Sequence, residues 1–230
     1  LALQFYGARG DLALGVSAHD LMLFSVRLIP FMVFQILAGT EIYRHFCVAS
    51  VYIFSRINER GRWYRAQIKV LAVQALLFQI VFYLSATAVA MARYTLVFSA
   101  KGLYYALLCM LGATLWNLQF AVLVNIVSIR KGNSFGYSAV AGAQFAMAAV
   151  LLLLNPLEEN SSRLIAARLD PISYLIFSWA SSRIAGPPGV NNNTVSGFWI
   201  EDSVLIIAVA CVLVILLCGQ MIDRHDIIIS

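Results

Sequence analysis

The sequence predicts an all-α integral membrane protein with five membrane-spanning helices, and three observations carry that prediction. First, the chain is 61% hydrophobic and only 12% charged, with a mean hydropathy of +0.83. A soluble domain carries about twice that charge. Second, apolar runs of about 20 residues recur, and each matches a hydrocarbon core of roughly 30 Å. They lie at 21–38, 69–92, 103–127, 135–154 and 203–221. Third, the short alternating segments of a closed barrel are absent from these runs.

Between the first two runs lies EIYRHFCVASVYIFSRINERGRWYRAQIK, Glu41 to Lys69, with Arg44, Arg56, Arg60, Arg62 and Arg65. A basic segment between two spans is retained on the cytoplasmic side. At 41–68 it is too long and too patterned for a simple turn, so it reads as a docking element for a cytoplasmic partner. The net charge of +5 is no nucleic-acid footprint. The basic residues stand at span ends, where topology and anionic headgroups account for them.

In chain order, residues 1–20 are mixed and carry glycine-bearing breaks, with Asp20 placed to cap the first span. Pro30 sits mid-span, where it removes a backbone donor and kinks the helix. Arg27 lies about two turns in; it either snorkels to the headgroups or lines a substrate path. Next, Ile42, Phe46, Ala49, Val51, Ile53 and Phe54 alternate with Tyr43, Arg44, His45 and Ser50, the pattern of a short amphipathic helix at the membrane surface. Asn58-Glu59-Arg60-Gly61 reads as a turn. Trp63 and Tyr64 are residue types of the headgroup layer, and Lys69 opens the second span.

Gln67, Gln74 and Gln79 interrupt the second span, and Trp116, Asn117, Gln119 and Asn125 stripe the third. Buried amides of this kind hold helices together; Gln74, Asn117 and Gln119, with Arg27, are also the candidates for a substrate path. Residues 128–134 read as a basic loop, and Gly136, Ser138, Ala139, Gly142 and Ala146 permit close helix approach in the fourth span. The outer insertion, 155–201, contains Asp170-Pro171, a helix-start signal. Ile172, Leu175, Ile176, Trp179 and Ile184 follow as an apolar face too short to span, so this helix is placed flat on the outer surface or re-entrant. Asn160-Ser161-Ser162 and Asn192-Asn193-Thr194 match the glycosylation sequon. Cys47, Cys109, Cys211 and Cys218 form no CxxC pair and read as small buried hydrophobes; His19, His45 and His225 are scattered, and no metal site is predicted.

Alternation places 42–68, 128–134 and the tail in the cytoplasm, and 1–20, 93–102 and 155–201 outside, in a multi-pass protein of the cell membrane with a cytoplasmic C-terminus. A start outside without a signal sequence is awkward; a further span upstream of Leu1 would make six.

Six spans with a docking helix between the second and third resemble the membrane subunits of type-2 ABC exporters. The residues that carry the resemblance are Glu41, Arg44, Ser55-Arg56, Arg60, Arg62-Trp63 and Lys69, about 30 residues of pattern within a topology that covers most of the chain. Arg–Trp followed by Lys looks like the permeases of peptide-antibiotic resistance and bacteriocin-associated exporters. The family's first span and the amphipathic elbow before it have no counterpart in this sequence. The resemblance implies a permease that binds no cofactor itself. The chain has no GxxxxGK[ST] phosphate loop, and ATP and Mg would sit on a separate cytoplasmic ABC ATPase. Glu41, Arg44, Phe46, Val51, Arg56, Arg60 and Arg62 would contact that ATPase, while Trp63, Tyr64 and Lys69 anchor the segment. A second permease chain, identical or related, would complete a pathway for a peptide or lipid-like substrate. Two other classes compete. A non-transporting immunity or structural membrane protein would bind a partner without the cytoplasmic segment. A membrane-embedded enzyme would need convergent acids, histidines or serines, which the spans do not cluster.

Overall fold

The computed structural model describes residues 18–48, 60–92, 99–154, 168–186 and 197–224. Helix α1 is Ala18–Ala38 and continues through Pro30. A single turn, α2, Glu41–Tyr43, passes into a π-helical turn, Arg44–Val48. The long helices α3, Arg60–Met91, and α4, Ala100–Lys131, follow. Then come α5, Asn133–Leu154, two short 3₁₀ turns, Pro171–Leu175 and Phe177–Trp179, and α6, Ile200–Arg224. The described residues hold no β-structure beyond isolated bridges such as Ser181 with Trp199.

Among the described residues, four helices are long and apolar enough to cross a membrane: α3, α4, α5 over Asn133–Leu151, and α6 over Ile200–Ile222. α1, with 21 residues, occupies the first of the five expected spans. The helices surround α4, which packs on every other long helix. Its most apolar stretch is 67% buried, against 17% for α3 and 22% for α6, so α4 is the core and the others present large apolar faces outward. Leu77, Leu84, Leu205 and Leu216 are all exposed, whereas Gln35, Gln79, Asn117 and Gln144 are fully buried. A water-soluble bundle has the opposite distribution. This one suits a surround that is itself apolar, where the polar atoms must turn inward.

Several helix ends differ from the sequence expectation. Arg60 and Gly61, expected in a turn, are the first residues of α3. The reason is packing: Trp63 and Tyr64 bury against the bundle and draw the helix start back by more than two turns. The expected loop at 128–134 shrinks to Gly132, whose φ of +89° suits glycine and whose N–H closes on the Ser128 carbonyl at 2.9 Å. Gly136 then lies so close that a Cβ there would overlap Ser128.

The apolar face after Asp170 is also reorganised. It is two 3₁₀ turns docked on the ends of the helices, rather than one helix lying flat. Asp170 caps the first turn, its Oδ1 accepting from the Ile172 N–H at 3.0 Å. Ile172, Leu175, Ile176 and Trp179 are buried in one cluster with residues of α1, α4, α5 and α6, while Ile184 is exposed. The Tyr105 hydroxyl of α4 reaches the carbonyls of both Phe177 and Ala180, the latter at 3.0 Å. It takes backbone acceptors that a continuing helix would use. Ser181 and the start of α6 close the cap, with Ser181 N–H on Phe198 O and Ile200 N–H on Ser181 O. Arg183 pairs with Asp202 at 2.7 Å and lies over the Trp199 ring.

Tyr43 of α2 packs by α4 near Asn125, and the start of α3 lies by the C-terminal part of α6. The 41–48 segment, the α4–α5 junction and the end of α6 therefore share one end of the bundle. The cap at 168–186 lies at the other, with Tyr105. That relative sidedness agrees with alternation along the sequence.

Candidate functional site

Two places concentrate polar chemistry: the end that carries 41–48 and the middle of the bundle.

At the end, the chain leaves α1 at Gly39, where a Cβ would overlap the Gln35 carbonyl and crowd Val124 of α4. The Tyr43 N–H donates to Asn125 Oδ1 at 2.9 Å, and the Asn125 amide nitrogen donates to Ala121 O at 2.9 Å. One buried amide thus ties α2 to the central helix. Ile42 and Phe46 point inward and are buried; the Phe46 ring lies 6.1 Å from that of Trp63. The Tyr64 hydroxyl donates to Ile215 O of α6 at 3.1 Å. Trp63 and Tyr64, expected as interface anchors, turn their rings into the cluster between α3, α4 and α6. Phe46, expected as a partner contact, is likewise committed to the chain's own core. Docked on the bundle, these rings are buried among the chain's own helices.

The charged members of the segment behave differently. Arg44, Arg62, Arg65 and Lys69 are exposed, Arg60 and Glu41 are half-buried, and Arg130 and Lys131 at the end of α4 add to the same end. Val51 and Arg56 lie outside the described residues, as does the second half of the expected surface helix. Arg27 is on α1, and its side chain is outside the description. Among the cysteines, Cys109, Cys211 and Cys218 are buried, whereas Cys47, expected to be buried, is exposed. Among the described residues no three His, Cys, Asp or Glu side chains converge in the manner of a metal site.

In the middle, the Gln35 and Gln144 amides bond reciprocally, at 3.2 and 2.7 Å. The Trp116 indole N–H donates to the same Gln144 oxygen at 3.1 Å. This joins α1, α4 and α5 through three fully buried side chains. Neither glutamine stands out in sequence, because each is a lone amide in an apolar run. Other buried amides are unpaired: both side-chain polar atoms of Gln79 and of Asn117, and one oxygen each of Gln74 and Gln119. The suggested path residues thus divide. Asn117 is fully buried and Gln119 nearly so, Gln74 is half-buried, and none of the three is joined to the Gln35–Gln144 pair. Each unpaired amide costs about 1–3 kcal/mol in a dry interior.

No family profile, curated protein or solved structure matches this chain.

Proposed function

We propose that this chain is a multi-pass protein of the cell membrane and the transmembrane subunit of an ATP-driven ABC exporter for a peptide or lipid-like substrate, ATP being hydrolysed on a separate cytoplasmic subunit. The observation that carries the membrane half of this reading is the inverted bundle, with large apolar side chains exposed and amides buried. The exporter half rests on the pattern Glu41, Arg44, Ser55-Arg56, Arg60, Arg62-Trp63 and Lys69. What supports it is that α2 is braced to the central helix through Asn125. Force applied at 41–48 by a partner would reach α4 directly, and α4 touches every other long helix. The unpaired amides Gln79, Asn117 and Gln119 supply polar groups a substrate path needs. Nucleotide-driven closure of two ATPase subunits would bias two arrangements of a pair of such permeases.

A second reading, a non-transporting membrane protein that binds a partner, is favoured by one observation. Ile42, Phe46, Trp63 and Tyr64 are spent on the chain's own core, which leaves few apolar side chains for a docking groove among the described residues at that end. Gentle detergent purification of the tagged protein followed by mass spectrometry separates the two. A stoichiometric ABC ATPase, lost on charge reversal at Arg44 and Arg56, supports the exporter. A solitary protein at low salt with ATP present supports the second reading.

A further inference from the structure

We propose that the outer face of α3 binds an anionic glycerophospholipid, with its phosphate at Arg62 and Lys69 and its acyl chains along Val73, Leu76, Leu77 and Leu84. This deepens the membrane-spanning half of the proposed function and rests on it, not on the exporter half.

The placement follows from helical spacing. Side chains three, four and seven residues apart share a helix face, so Arg62, Lys69, Val73, Leu76 and Leu84 form one stripe. α3 is helical throughout this stretch. Every one of them is exposed, Leu84 at 65% and Val73 at 56%, and Arg62 and Lys69 are exposed with them. The stripe is the reverse of the face that holds Tyr64, Ile68, Leu71, Ala75 and Gln79 inside the bundle. From Lys69 to Leu84 the helix rises about 22 Å. One leaflet is half of a core of roughly 30 Å, so the apolar part of the stripe exceeds the depth of an acyl chain.

Charge selects the headgroup. Neither Arg62 nor Lys69 has an ion-pair partner among the described residues. Arg65 beside them turns its guanidinium back to the Gly61 carbonyl at 3.2 Å. Two cations with no ion-pair partner among the described residues, seven residues apart on one face, match the phosphate of a lipid with a net negative charge; a zwitterionic headgroup would bring its own cation against them. The continuity between these cations and the exposed leucines argues against an acidic soluble protein as occupant. Such a partner would have to cover Val73 and Leu76, which lie at the depth of the hydrocarbon.

The test is native mass spectrometry of the full chain released from micelles containing phosphatidylglycerol or phosphatidylcholine. The wild type retains phosphatidylglycerol in preference. Arg62→Gln and Lys69→Gln each weaken that retention about fivefold, and the double variant loses the preference. Lys101→Gln, an exposed cation at the opposite end, leaves it unchanged. Equal retention of the two lipids, a preference that survives the double variant, or an equal loss in Lys101→Gln overturns the site. So does a double variant that keeps its lipid and sheds a co-purifying ATPase. An alkaline wash of the native membranes separates the underlying reading: release into the wash sinks the spanning assignment and the lipid site together, whereas retention in the pellet without lipid preference sinks the lipid site alone.

Discussion

Gln35 and Gln144, 109 positions apart in sequence, face one another across the α1–α5 interface and exchange two amide hydrogen bonds. Trp116 adds a third bond to the same Gln144 oxygen, so Gln144 is the hub. Gln144→Leu strands both Gln35 and the Trp116 N–H in a dry interior and should cost about 1–3 kcal/mol. Adding Gln35→Leu to it should recover part of the loss, because one stranded amide is gone. A double-mutant cycle on unfolding in detergent measures the coupling, for which about 0.6–2 kcal/mol is the range of interhelical polar contacts. Strictly additive losses would count against the pairing.

Gln79 makes the opposite prediction. Its side chain is fully buried and neither polar atom has a partner. Gln79→Leu keeps the approximate volume and removes the desolvation cost, so it should stabilise the protein by about 1 kcal/mol. Thermal unfolding in detergent reads this directly. A destabilised variant would mean that water or a ligand satisfies the amide.

Two glycines of α5 should respond with opposite signs to the same substitution. A Cβ at Gly142 meets open space, whereas one at Gly136 overlaps Ser128. Gly142→Ala should therefore gain about 0.5–1 kcal/mol from reduced chain entropy. Gly136→Ala should lose about 1–3 kcal/mol by forcing α4 and α5 apart. Comparing the two midpoints in one detergent removes most solvent effects.

Asp170 caps a 3₁₀ turn while buried. Burial raises its carboxyl above the ordinary value of 3.8, and the Ile172 N–H offsets that only in part. The folded state therefore holds its proton more tightly than the unfolded chain. The sign follows: the stability this group contributes is full below the ordinary value and is lost as pH rises through the raised one. Asp170→Asn keeps an acceptor for Ile172 without the buried charge. It should be neutral or stabilising at neutral pH and should flatten the pH dependence in that window. Asp170→Ala removes the cap and should cost about 1 kcal/mol. Unfolding midpoints across the acid range check both.

Much of the architecture was legible in the sequence because hydrophobic run length responds to the surround rather than to neighbouring residues. The spans at 103–127, 135–154 and 203–221 lie within helices, the span at 69–92 overruns its helix by one residue, and Asp170-Pro171 was a readable start signal. The early start of α3 was not legible: Asn58-Glu59-Arg60-Gly61 has turn chemistry, and only the burial of Trp63 and Tyr64 overrides it. Nor was the fate of Phe46. An aromatic residue among cations looks the same whether it meets lipid, a partner or its own helix α3.

By itself, then, the sequence determined that the chain is built of apolar helices, roughly where they lie, and that basic residues gather at one end of them. Tertiary structure alone decided which helix is central and which amides pair. It also decided that Gln35 meets Gln144 while Gln79 and Asn117 meet no partner. The physical reason is range. Propensity and span length act within a few turns of chain, whereas a hydrogen bond between two lone amides depends on how separate helices rotate and pack.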